Sequence, residues 1–197
     1  NGHVSLGAGR TAFLSNRPDG RGFLSEITAP ADQALNLGQL LADGGQVTMA
    51  GRVVNQSGIV RANSVLQRNG RIELVAGEQV TLTAGSQTVS RGSESGAHGG
   101  TVIVQAATRD QSGTRIGGTV SVESGATIDV TAGSGGAAGE VWLGGTTVTQ
   151  NGHVLGTLQR LIPNQVTLGD SQLLSLASSV QRREVNVLAM DDINVTA

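Results

Sequence analysis

Cysteine, lysine and tyrosine are absent from this chain of 197 residues, and its aromatic side chains are only Phe13, Phe23 and Trp142. Without cysteine there is no disulfide framework and no thiolate metal site. So few aromatics argue against a globular core filled with aromatic bulk. The apolar residues are mainly Val, Leu, Ala and Ile, which suit narrow, uniform layers of aliphatic side chains. Charge is sparse as well: 14% of residues, with a formal net charge of −2. No basic stripe points to nucleic acid. Arg182-Arg183 is followed directly by Glu184 and reads as a solvated face. No run of about 18 apolar residues exists to span a membrane, and no signal peptide opens the chain. A start at Asn1-Gly2 gives the expectation of a processed product or an excised fragment.

Glycine is what the chain has in excess, 30 residues, without the strict Gly-X-Y period of collagen. Many of these glycines open one recurring phrase. It reads Gly45-Gln46-Val47-Thr48-Met49, Gly70-Arg71-Ile72-Glu73-Leu74, Gly100-Thr101-Val102-Ile103-Val104, Gly118-Thr119-Val120-Ser121-Val122 and Gly139-Glu140-Val141-Trp142-Leu143. Gly2-His3-Val4-Ser5-Leu6 is a fainter copy. Each copy is a turn followed by a short alternating strand. Successive starts lie about 18 to 30 residues apart, the period of solenoid coils. One copy cannot bury its apolar face, whereas a stack can. Val47, Ile72, Val102, Val120 and Val141 follow the glycine at the same offset and are expected to point inward. Most gaps are too short for the helices of a doubly wound α/β sheet.

The expected fold is therefore all-β, a right-handed parallel β-helix with room for a short helix or loop excursions. Residues 1–43 form atypical first coils with a loop excursion. Within them residues 3–14 read as a strand pair broken at Gly7-Ala8-Gly9, and Asn16-Arg17-Pro18-Asp19-Gly20 as a turn. Leu37, Leu40 and Leu41 fall at helical spacing in residues 31–42, which predicts a short helix or an irregular loop there. Residues 44–155 carry the regular coils. Their Ser/Gly-rich stretch near 84–100 offers little to bury and is expected to bulge out as a loop. Residues 132–139 make a second permissive turn. Residues 156–197 form less regular C-terminal coils, with helical spacing over 171–183 that Asp170 would cap.

Residues 44–85 carry a family likeness. Gly44-Gly45-Gln46-Val47-Thr48-Met49-Ala50-Gly51 is followed by Asn55-Gln56-Ser57-Gly58-Ile59-Val60-Arg61-Ala62. Then comes Gly70-Arg71-Ile72-Glu73-Leu74-Val75-Ala76-Gly77. This resembles the filamentous-haemagglutinin group of two-partner-secreted exoproteins, in which "N-x-G-x-I-x-A" coils alternate with "G-G-x-V-x-L-x-A-G" coils. The first pattern is met with one extra residue. The resemblance implies a right-handed parallel β-helix exported through a partner outer-membrane β-barrel transporter. It implies a secreted or cell-surface location and roles in adhesion, haemagglutination and biofilm building. It places the chain just downstream of the family's "N-P-N-G-I" export motif, whose tail Asn1-Gly2 would match with His3 in place of Ile.

Chemistry-bearing residues are thinly spread. His3 and His153 share an Asn-Gly-His-Val context and are expected to fill the same turn-to-strand slot in two coils; His98 lies in the Ser/Gly stretch. None has partners at metal-ligand or general-base spacing. Asp191-Asp192 is the only paired carboxylate, and adjacent strand residues point to opposite faces. Other acids stand singly, at Glu73, Glu78, Asp110, Glu123, Asp129 and Glu140. Glu123 and Asp129 could share a face only across coils. No serine occupies a Gly-x-Ser-x-Gly elbow, and neither Gly-rich stretch precedes a helix that could cradle phosphate. Trp142 could offer a sugar platform, but a single aromatic within a strand reads first as core or as a coil-end plug.

These readings assign no catalytic, cofactor-binding or metal-ligating residue. The leading expectation is a non-enzymatic structural and adhesive module contacting a host-cell, sister-cell or glycan surface. The alternatives are a parallel β-helix enzyme acting on polysaccharide, and a filament subunit that self-associates end to end.

Overall fold

The computed structural model describes residues 2–16, 23–28, 32–66, 68–109, 111, 115–156, 158–169, 184–187 and 192–196. The protein is all-β, and the described residues contain no helix. In chain order, β1 (His3–Gly7) is followed by β2 (Thr11–Asn16), β3 (Phe23–Thr28), β4 (Gln33–Asn36), β5 (Gln39–Leu41), β6 (Gln46–Gln56), β7 (Ile59–Arg61), β8 (Arg71–Leu82), β9 (Gln87–Val89) and β10 (Thr101–Ala106). Then come β11 (Thr108–Arg109), β12 (Arg115–Gly117), β13 (Thr119–Val122), β14 (Thr127–Asp129), β15 (Glu140–Gln150), β16 (His153–Leu155), β17 (Leu158–Gly169), β18 (Glu184–Val187) and β19 (Asp192–Thr196).

Pairing is parallel except in two hairpins, β2–β3 and β11–β12. It sorts the strands into three faces. The first joins β1, the leading halves of β6 and β8, β10, and the leading halves of β15 and β17 with β18. The second joins β4, the trailing halves of β6 and β8, β13, and the trailing halves of β15 and β17 with β19. The third is β5, β7, β9, β14 and β16. β8, β10, β15 and β13 close a ring of four parallel strands. The ring closes because β8 and β15 run unbroken across the bend between two faces. The intervening pass is split there into β10 and β13 by the β11–β12 hairpin.

Alternation on these strands builds the core. Val47, Ile72, Val102 and Val141 pair in register and have no solvent exposure, and so do Met49, Leu74, Val104 and Leu143. Val120 is also fully buried, as expected from the sequence, but it belongs to another column, with Val80 and Val148 on the second face. The phrase at Gly118 thus enters a different face from the others.

The phrase glycines have a steric cause. Gln46 N–H donates to Gly2 O, Arg71 N–H to Gly45 O, Thr101 N–H to Gly70 O and Glu140 N–H to Gly100 O. A Cβ at Gly45 would overlap Gly2 O, and one at Gly139 would overlap Gly100 O. Stacked backbones approach too closely at this step for any side chain.

Two expectations are corrected. The expected helix or loop over 31–42 is replaced, among the described residues 32–42, by β4 and β5, which pair with β6 and β7. Leu37 is 74% exposed while Leu40 packs against the core; parallel pairing overrides the local spacing. Nor does 84–100 bulge out. β9 lies within the third face, and Ser86, Thr88, Ser90 and Ala97 are fully buried. Small hydroxyl side chains line the interior here, with Thr88 holding the register position between Val60 and Ile128. The segment that follows stacks on the second Gly-rich turn, through Gly96 N–H to Ser134 O and Gly99 N–H to Ala137 O. Asn16, the first residue of the turn expected over 16–20, ends β2; residues 17–20, the expected helix at 171–183 and its cap Asp170 lie outside the described residues.

Candidate functional site

The residues singled out for chemistry are dispersed by the fold. His3 opens β1 on the first face, opposite Gln46, and His153 opens β16 on the third, opposite Thr127. The shared context marks a strand start in both cases, but the two do not occupy one slot of the stack. His98 is exposed, and its Nδ1 accepts from Ala137 N–H at 2.9 Å. Glu123 holds the turn below it, its Oε2 accepting from Ala84 N–H at 3.0 Å. Asp129 Oδ1 accepts from the backbone N–H and hydroxyl of Thr131 at 3.0 and 2.7 Å, and its other oxygen lies 4.0 Å from Arg91. Glu123 and Asp129 are therefore each occupied locally. Asp191 is outside the described residues, and Asp192 begins β19. No group of three or more His, Cys, Asp or Glu among the described residues could hold a metal ion. No helix among them is long and apolar enough to cross a membrane.

Trp142 is corrected from the interior to the surface. It alternates with buried Val141 and Leu143 on β15 and lies outward on the first face, half-buried. Its Nε1–H donates to Glu140 Oε2 at 3.0 Å. Parallel register sets Ile103 beside it, and Glu73 beside Ile103. Two residues along β15, Gly144 also faces outward, paired with Gln105, which in turn pairs with Val75. Val75 is 38% exposed. Among the described side chains, a Cβ at Gly144 would meet Gln105 Cγ, at 3.7 Å. The indole is thus tied towards the start of β15, and on the adjoining strand β17 Arg160 and Ile162 hold the register positions beside Trp142 and Gly144.

The same face carries a polar margin. Arg71 Nε donates to Glu73 Oε1 at 2.6 Å, and Gln46 Nε2 donates to Glu73 Oε2 at 2.9 Å. The described part of this surface has one aromatic ring, two aliphatic side chains, the Gln105 amide, the Glu73 and Glu140 carboxylates and the Arg71 guanidinium, and the register adds Arg160 beside Trp142. Its signal was present in the sequence: aligning the phrases at Gly100 and Gly139 puts Ile103 beside Trp142 and Gln105 beside Gly144. Which way the alternation pointed was the missing element.

No protein family, curated protein or solved structure matches this chain.

Proposed function

We propose that this chain is a non-enzymatic structural and adhesive module of a secreted bacterial exoprotein, built as a right-handed parallel β-helix of filamentous-haemagglutinin type. One observation carries the reading. Equivalent phrase positions pair in parallel, in register, from β1 through β6, β8 and β10 to β15, and β17 continues the pairing. Such a stack is a rod in which each pass supports only its neighbours. It presents long outer faces, and weak contacts repeated along a rod add up by multivalency. The separate engagement of Glu78, Glu123 and Asp129 supports a structural role over polysaccharide cleavage. On this reading the partners are an outer-membrane two-partner-secretion transporter during export, and afterwards a cell or glycan surface.

The test has two arms. Beads coated with the protein are expected to be retained on bacterial or host-cell layers above a coated control. Incubated with plant and bacterial polysaccharides, with and without Ca²⁺, the protein is expected to release no reducing ends or unsaturated products. Reproducible cleavage that is lost on mutating Asp129 would replace the adhesive reading with the enzymatic one.

A further inference from the structure

From the outer surface of the second face we infer a binding site for ice, centred on Thr119, Ser121, Thr147 and Thr149. The inference goes beyond the adhesive reading and does not rest on it.

Parallel register builds a two-column grid of short polar side chains here. β13 presents Thr119 and Ser121 outward, and β15 presents Thr147 and Thr149 beside them. β8 adds Gln79 and Thr81 on one flank, and β17 places Gln165 and Thr167 at the register positions on the other. On β8, β13 and β15 each pair straddles a valine with no exposure, Val80, Val120 or Val148, so the pairs stand at one height above the sheet. Gln79 folds down along its own strand, its amide donating to Thr81 Oγ1 at 2.9 Å. Thr119 is exposed, and Ser121, Thr147 and Thr149 are half-buried. The hydroxyls of these four are not spent on other described side chains.

Charge and spacing select the ligand. Among the described residues, no charged side chain holds an outward register position on this face from β4 to β15, and the register adds none on β17. The other two faces differ: the first carries Arg71, Glu73 and Glu140, and the third Arg61 and Asp129. An ion gathers water around itself, whereas a hydroxyl donates and accepts as water does. Neighbouring strands lie about 4.8 Å apart, and residues two apart along a strand about 6.7 Å. Ice repeats its oxygen sites at nearly the first distance along one axis and at a little more than the second along another. Threonine is stiff about χ1, so its hydroxyl and methyl keep fixed places in the grid. Water held on such a grid is ordered in advance, and a growing crystal takes it up with little further loss of freedom.

The probe is ice itself. The protein is expected to be enriched in a slowly grown ice front that excludes serum albumin, and to arrest recrystallisation in annealed frozen films. Thr149→Lys and Ser121→Lys each put a charged, mobile side chain in the middle of the grid. Both are expected to lose the two effects while melting near the parent, since outward positions leave the core untouched. Gln87→Lys, at an exposed position on the third face, is expected to keep both effects. Exclusion of the parent from ice, full activity in both second-face variants, or equal loss in Gln87→Lys would each overturn the proposal. Concentration-dependent association that is lost in the second-face variants, with no effect of the parent on ice, would assign the face to a second copy of the chain instead. None of these outcomes bears on retention of coated beads, so the adhesive reading stands or falls separately.

Discussion

Ile72 sits mid-column between Val47 and Val102 and has no exposure. Ile72→Asp would place a carboxylate where only aliphatic side chains stack. The expected loss is several kcal/mol, on the order of the largest core penalties. A variant that melts like the parent would show that the register is wrong. Thr88 is the converse case. Its Oγ1 and the nearby Ser86 Oγ are buried without a hydrogen-bond partner. An unmet buried hydroxyl costs on the order of 1–3 kcal/mol. Thr88→Val keeps the shape and removes the polar atom, so it is expected to stabilise by about 1 kcal/mol, a rise of about 2–4 °C for a chain of this size. A fall in melting temperature would reveal a partner for the hydroxyl, such as a buried water.

Among elements, the glycine step before the first face leaves no room for a side chain. A Cβ at Gly139 would overlap backbone atoms of Gly99 and Gly100, which cannot move without disturbing the next pass. Gly139→Ala is expected to cost about 1–3 kcal/mol or more by overpacking. Gly144→Ala, five residues further on, is expected to be near neutral or slightly stabilising, because among the described residues alanine meets an ordinary contact and has less freedom to lose on folding. Thermal melts of the pair check this: equal costs would contradict the close approach at Gly139. At the corner between the second and third faces, the stack relies on amides. Asn36 Nδ2 donates to Gln56 Oε1 at 2.7 Å, and Gln56 Nε2 donates to the carbonyls of Gly58 and Gln87 at 2.9 and 3.0 Å. Satisfied in this way, a long polar side chain can lie fully buried.

For the molecule as a whole, far-UV circular dichroism is expected to show strand with little helix. Helix above about a third, the ordinary globular share, would contradict the parallel stack. The stack itself was legible in the chain, because one turn-and-strand phrase repeats and no single copy can bury its own apolar face. The site was legible only in part. Trp142 stood out by being alone, yet its side of the sheet was misread, since a single alternating strand does not say which of its faces is dry.

Composition and period by themselves determined an all-β architecture and the inward direction of Val47, Ile72, Val102, Val120 and Val141. These follow from local rules: alternation, turn glycines and the residue types on offer. Tertiary structure alone decided that Val120 belongs to a second face, that 33–41 pairs as strands, and that Ser86, Thr88 and Ser90 lie inside. It also set Ile103 and Gln105 against Trp142 and Gly144. Each of these depends on which distant segment a strand pairs with. Pairing is settled by backbone hydrogen bonds and side-chain volume across passes, quantities that no window along one strand contains.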